Sequence, residues 1–187
     1  MSELNIPQPH GLRLVEENRI TPELDSAIRS LLCVCFPGHA SVFNGSRHWH
    51  GSVPAFSLVH EHNANVLGHV AVVIRRIQAG TVAVDVAGIQ NLVVHPQLRR
   101  ASLGRSLMKG AMHEARARHV PFGLLFCAPA FEKFYASLQW TKMDAKVFMK
   151  NDTGQLTPIP GKNICMVNHL SEINFPAGDI NLMGADW

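Results

Sequence analysis

The chain contains no CxxC pair, no GxxxxGK[ST] loop and no GxGxxG fingerprint. Each absence removes a class of function. Cys33, Cys35, Cys127 and Cys165 spell neither a zinc ribbon nor a dithiol redox motif, and they read as reduced core thiols. Without either glycine loop, the sequence encodes neither a P-loop nucleotidase nor a dinucleotide-dependent oxidoreductase. No apolar run reaches the roughly 18 residues that a membrane helix needs, and no secretory leader pattern is present, so the expectation is a cytoplasmic protein without a membrane span. Charge is sparse as well: Lys+Arg 17 against Asp+Glu 14 leaves a formal +3, too mild to indicate nucleic acid as a partner. Tyrosine occurs once, at Tyr135.

What remains is a chain of 187 residues, 47% hydrophobic, sized for one domain over residues 1–187 with a loose arm at 1–11 and a C-terminal tail at 171–187. A strand is predicted at Leu12–Glu16. Thr21-Pro22 supplies an N-cap and a proline at the first helical position, so a helix of about 14 residues should follow and stop before Pro37-Gly38. Ala55–Glu61 and Ala64–Arg75 read as a hairpin, with a third strand at Thr81–Val94. After a helix at Leu103–Arg118, the continuous apolar run Val120–Cys127 suits a buried parallel strand. A short helix at Ala130–Leu138 should bury Phe131, Phe134, Tyr135 and Leu138, and one further strand is expected at Asn163–Leu170.

The stretch Ala87–Met112 organises the rest. Its apolar run ends at His95-Pro96, because proline lacks a donor and disfavours helix at the residue before it. Arg99, Arg100, Ala101, Ser102, Leu103 and Gly104 then lead into a segment with Leu103, Leu107, Met108, Ala111, Met112 and Ala115 on one side. A loop of small residues at the start of a helix turns backbone N–H groups toward one point, which suits phosphate. Arg99, Arg100 and Arg105 add positive charge there. An ordinary strand-to-helix turn with surface arginines is the plainer alternative. Strict alternation along the strand places Val86, Gly88, Gln90, Leu92 and Val94 on one face.

Two other segments bear on chemistry. FNGSRHWHGSVP, from Phe43 to Pro54, has no clean period and should be a surface loop or short helix. It gathers Arg47, His48, Trp49 and His50, which fits a substrate-facing loop better than a metal site, since no third ligand is placed. In the tail, Asp179, Asp186 and Trp187 could meet ammonium groups or stack on a ring, or simply be solvated. Tyr135 is either a core aromatic or a general acid that protonates a leaving thiolate.

Arg99 and Gly104 fit the pattern [QR]xxGx[GA] of the pyrophosphate loop in GCN5-related N-acetyltransferases, with Ser102 in place of the first glycine. From residue 12 to about 170 the order of elements resembles that family. The resemblance implies an α/β fold: a mixed central sheet with splayed parallel strands and flanking helices. It also implies acetyl-CoA or coenzyme A as cosubstrate without a metal, with Leu92, Val93 and Val94 on the pantetheine arm, Arg99–Arg105 on the diphosphate, and Tyr135 as the acid. GLLFCAPAFEKFYASLQW is similar to the aminoglycoside 2'-N-acetyltransferases. The F-x-G-x-R-x-W-x-G-x-x-P spacing of residues 43–54, with VPFG and FPAG, resembles the nodulation N-acyltransferase family, nodulation protein A.

The acceptor common to both branches is the 2-amine of an amino sugar, so the expected enzyme is an acetyl-CoA-dependent acyltransferase acting on a small-molecule primary amine. Trp49, Gln90, Asp186 and Trp187 are its candidate acceptor contacts. A fatty acyl donor on an acyl carrier protein, docked on Arg99, Arg100, Arg105 and Arg118, is the second enzyme reading. A binding module that holds coenzyme A or an antibiotic without turnover is the non-enzyme one, and a homodimer stays open. Gln90 stands where the aminoglycoside branch has a glutamate and cannot serve as a base. His95, Asp85, Glu61, His48 and the terminal carboxylate are the remaining candidates.

Overall fold

The computed structural model describes residues 11–63, 65–99, 102–159 and 163–187. Strand β1 (Leu12–Glu16) leads through a 3-10 turn to helix α1 (Pro22–Cys35), and a short helix α2 (Ala40–Gly45) follows. Strands β2 (Phe56–His62), β3 (Asn65–Ala79) and β4 (Val82–Val94) form an antiparallel meander. Helix α3 (Leu103–Ala117) connects to β5 (Phe122–Cys127), and α4 (Glu132–Ala136) to β6 (Trp140–Met143). The chain continues with β7 (Val147–Lys150), β8 (Leu156–Pro158), β9 (Ile164–His169) and β10 (Ile180–Asn181). Among the described residues, no helix is long and apolar enough to cross a membrane.

The strands join into one mixed sheet in the order β6-β9-β5-β4-β3-β10-β7-β8, with β2 also on β3 and β1 outside it. The α/β class with a mixed sheet is therefore as expected. Local chemistry explains the helices. Thr21 accepts from the Leu24 N–H at 3.3 Å and Pro22 opens α1, which buries Leu24, Ile28, Leu31 and Leu32. All six apolar residues of the α3 stripe are buried.

Helix α3 covers one face of the sheet, packing with Phe56, Val70, Val72, Ile89 and Leu125. The opposite face is shared. Helix α1 covers Val15, Val59, Val66 and Val93, while the C-terminal tail covers Val73, Val86, Phe122 and Leu124 with Ile180, Leu182 and Trp187.

Two expectations need correction, and four strands lie outside the expected ones. Phe131 is 58% exposed, because Pro129–Phe131 forms a 3-10 turn and the helix starts only at Glu132. Segment 43–54 is not a surface loop throughout: Phe43 is fully buried against Phe36 and Trp49, and Arg47 is buried. Strands β6, β7, β8 and β10 are too short to show a period.

Gly88 sets how closely the tail approaches. A Cβ there would run into the Trp187 indole, so the ring lies directly on the backbone of β4. Gly88→Ala should cost about 1–3 kcal/mol by overpacking, read as a lower denaturation midpoint together with altered tryptophan fluorescence.

Candidate active site

Strand β4 runs parallel to β5 only over Val86, Ala87 and Gly88, paired with Phe122, Gly123 and Leu124. Beyond that point both strands continue, to Val94 and Cys127, without pairing to each other. The divergence has a local cause in β4. His69 faces Val93 and Ala71 faces Gln90, so Asn91 and Leu92 together oppose Val70, and Asn91 has φ +53. Such a bulge bends and twists its strand, here away from β5. The alternation slips at the same place: Gln90 lies on the tail face with Gly88, whereas Leu92 and Val94 pack toward α3. The expectation that Gln90 shares a face with Leu92 and Val94 is thus wrong, and the bulge is the reason. Val93 is core beneath α1 and its backbone pairs with His69 in the β3 ladder, so it does not face the splay.

The bulge is tied down from the opposite face. Asn91 Nδ2 donates to the Arg47 carbonyl at 3.0 Å. Arg47 is itself buried, contacting Glu17 and reaching Asp25 Oδ1 with Nε at 3.0 Å. A buried guanidinium needs such partners, which explains an arginine inside segment 43–54. His69, fully buried, places Nδ1 3.2 Å from the Asn91 carbonyl and Nε2 3.3 Å from Ser57 Oγ. Burial pushes its pKa down to about 3, so the neutral ring donates to Asn91 and accepts from Ser57.

At the open end of the splay, Ser102 precedes α3 at φ +60 and its side chain makes no capping bond. Arg105 N–H already bonds the Ser102 carbonyl at 2.9 Å, so among the described residues the N–H groups of Leu103 and Gly104 are the ones left for another acceptor. Arg100 and Ala101 lie outside the described residues. Arg99 is exposed, and Arg105, also exposed, donates to Ser137 Oγ at 2.8 Å while stacking on Phe134. Gly104 lies beside Phe134 and Val94; a Cβ would contact both at 3.7 Å. An unpaired strand edge running into an uncapped helix start, flanked by two exposed arginines, fits an extended thioester cofactor with a diphosphate.

Tyr135 belongs to the α3 face, edge-on to Phe134 at 5.0 Å and 6.2 Å from Trp140. Burial, with a lesser effect of Cys127, raises its pKa well above the ordinary phenol value. The same surroundings push the Cys127 thiol up to about 11. Tyr135 is therefore not the unperturbed phenol assumed from the sequence.

On the tail face, three of the four candidate acceptor residues meet around Ser52, and Trp49 lies one residue from them. Gln90 Nε2 donates to the Ser52 carbonyl at 3.0 Å, and Ser52 Oγ donates to the Asp186 carbonyl at 2.6 Å. Asp186 contacts His50 Nδ1, and the His50 ring lies 5.1 Å from Trp49. Arg75 donates to Ser52 Oγ at 3.0 Å and to Ala185 O at 2.5 Å, and stacks over Trp187. Gln90 and Trp187 are buried, so they build the wall and cannot touch an acceptor; Trp49 is part-exposed.

The candidate bases fare unevenly. Glu61 pairs with Arg13 and Asp85 with Arg76, both exposed, and His48 faces Glu17. His95 caps the turn that follows it by accepting from Gln97 N–H at 3.4 Å. None of the four belongs to the Ser52 cluster. His50 does, and sequence reading passed over it because its partner is 136 residues away. Among the described residues, no three His, Cys, Asp or Glu converge as a metal site.

Residues 13–153 match the family model described as Nodulation protein A (NodA). No curated protein matches the chain in sequence. Among solved structures, the GNAT family N-acetyltransferase YhbS from Escherichia coli, in complex with CoA, is similar with a TM-score of 0.63 at 15% identity, covering 97% of this chain and 93% of that one. An aminoglycoside 6'-N-acetyltransferase complexed with coenzyme A gives 0.58 at 14% identity, with 87% and 99% covered. A GNAT family acetyltransferase from Brucella melitensis in complex with acetyl-CoA gives 0.58 at 16% identity, with 91% and 95% covered. Likeness at these identities is one of fold, and the fold is that of the GCN5-related N-acetyltransferases.

The neutral His69 makes the bulge sensitive to acid. An unfolded histidine titrates near 6.5, and the folded one only at about 3. Between those values the unfolded chain binds the extra proton, so stability is full above roughly pH 6.5 and falls as pH drops toward 3, by up to about 1.4 kcal/mol per pH unit. His48, lowered by burial, acts in the same direction. Urea denaturation from pH 7 to pH 4 should show this slope, and it should be shallower in His69→Gln.

Proposed function

The chain belongs to the nodulation protein A family, and we propose that this acyltransferase moves an acetyl group from acetyl-CoA to a primary amine of a small molecule, the 2-amine of an amino sugar. The observation that carries the reading is the unpaired edge of β4 beyond Gly88, opening between Tyr135 on one face and the Ser52 cluster on the other. A thioester bound there reaches both an acid and a polar wall.

Each part of the chain has a distinct task. The backbone edge of β4 at Leu92 and Val94, where the Val94 carbonyl accepts only the weak Cys35 thiol donor at 3.5 Å, supplies the hydrogen bonds an added strand would make, which suits the amides of a pantetheine arm. A backbone N–H near Leu92 is the donor for the oxygen that gains charge when an amine attacks the carbonyl. The start of α3, with Arg99 and Arg105, takes the diphosphate. Tyr135, held protonated by burial, supplies the proton to the departing thiolate. On the tail face, the part-exposed Trp49 offers a surface for a sugar ring beside the exposed His50, while Asp186, buried like Gln90 and Trp187, reaches the acceptor only through the field of its carboxylate.

A second donor is favoured by one feature. Arg105, Lys109, His113 and Arg116 form an exposed basic line along α3, beside a groove of about 410 Å³. That line would suit an acidic acyl carrier protein. Arg118 adds nothing to it, because it is paired with Glu16 and Glu114 and stacked on Phe56.

With acetyl-CoA and a panel of amino sugars, the protein should release free thiol, and a pure binder releases none. Tyr135→Phe should lower kcat by about 10²-fold with calorimetric coenzyme A affinity nearly intact. Unchanged turnover removes the acid role.

A further inference from the structure

His50 at φ +47 and Gly51 at φ +74 are consecutive residues in the left-handed backbone region. For a histidine this conformation costs about 1–3 kcal/mol and persists only where the surroundings impose it. The Ser52 N–H, donating to the Trp49 carbonyl at 3.0 Å, closes the turn that imposes it, and Asp186 holds the ring. The Asp186 side chain is 12% exposed and contacts Nδ1, while the His50 side chain is 45% exposed. Donation of Nδ1–H to the carboxylate fixes the tautomer and leaves the Nε2 lone pair free. Nε2 has no hydrogen-bond partner among the described residues.

The pair lies close to the splay. Ser52 binds the Asp186 carbonyl and accepts from Gln90, one residue before the bulge, and Trp187 rests on Gly88, the last β4 residue paired to β5. Tyr135 approaches from the other face of the sheet. Clamping the tail does not by itself require the imidazole, since Arg75 already binds the carbonyls of Leu182 and Ala185 and Ser52 that of Asp186.

We propose that His50 is the general base of the acyl transfer and that Asp186 is the residue positioning it, a reading that rests on the acyltransferase function above. The amine nitrogen forms a bond to the thioester carbonyl carbon, and its proton passes to His50 Nε2. As the carbon–sulfur bond breaks, the thiolate takes a proton from Tyr135. The imidazolium, stabilised by Asp186, gives its proton to solvent, and the tyrosinate regains one from solvent. Acid and base thus act from opposite faces, one on the leaving group and one on the nucleophile.

His50→Asn is the discriminating variant. Asparagine tolerates a positive φ, and its amide can donate to Asp186 as Nδ1 does, but it offers no basic ring nitrogen. Its melting temperature and coenzyme A affinity should match wild type, while kcat falls about 10²–10³-fold and recovers when imidazole is added. Independently of turnover, ¹⁵N NMR of the wild type should show His50 in the Nδ1–H tautomer, and Asp186→Asn should redistribute it. Wild-type turnover in His50→Asn, or a loss that imidazole does not restore, overturns the base, as does an Nε2–H tautomer in the wild type. Absence of thiol release by the wild-type protein with every amine defeats the acyltransferase reading itself, and the base with it.

Discussion

The bulge at Asn91 is the constraint on which the rest of the site depends. It sets two residues of β4 against one of β3, turns the strand off its parallel neighbour, and reverses which side chains face α3. A positive φ at a non-glycine residue needs support, and it comes from groups far apart in sequence: the Arg47 carbonyl accepts from the Asn91 side chain, and the neutral ring of His69 donates to the Asn91 carbonyl. Arg47 in turn depends on Glu17 and Asp25, so helix α1 and the turn before it stabilise the strand irregularity at one remove.

Two faces of the sheet then divide the work. The α3 face contributes the helix start, the exposed arginines and Tyr135, groups suited to a donor and its leaving thiol. The tail face contributes a wall made by Gln90, Ser52, Arg75 and Trp187 behind an exposed imidazole that is backed by the buried Asp186 carboxylate. Segment 43–54 joins the α1 and tail halves of the face opposite α3. Phe43 anchors it in the α1 core, the Arg47 carbonyl meets the bulge, and Ser52 meets the tail, so the spacing shared with the nodulation protein A family encodes a scaffold as well as a surface.

Much of this was legible. The α1 cap, the six-residue stripe of α3 and the apolar run of β5 are local patterns, and each was found within a few residues of its place. What escaped was non-local. Strict alternation misplaced Gln90, because nothing around Asn91 announces that one residue will leave the ladder. The burial of Arg47 depends on acidic partners twenty and more residues away, and His50 acquires chemical meaning only from Asp186. Trp187 read as a ring for stacking; the gap it fills is created by a missing side chain at Gly88.

The bond from Ser52 to Asp186 closes a loop of 134 residues. Contacts of such separation carry a large chain-closure entropy and form late, after hairpins and helices have condensed. The tail reaches its place from far along the chain, and what keeps it there is apolar surface: Ile180 and Leu182 are fully buried and Trp187 nearly so, in one cluster with Val73, Val86, Phe122 and Leu124.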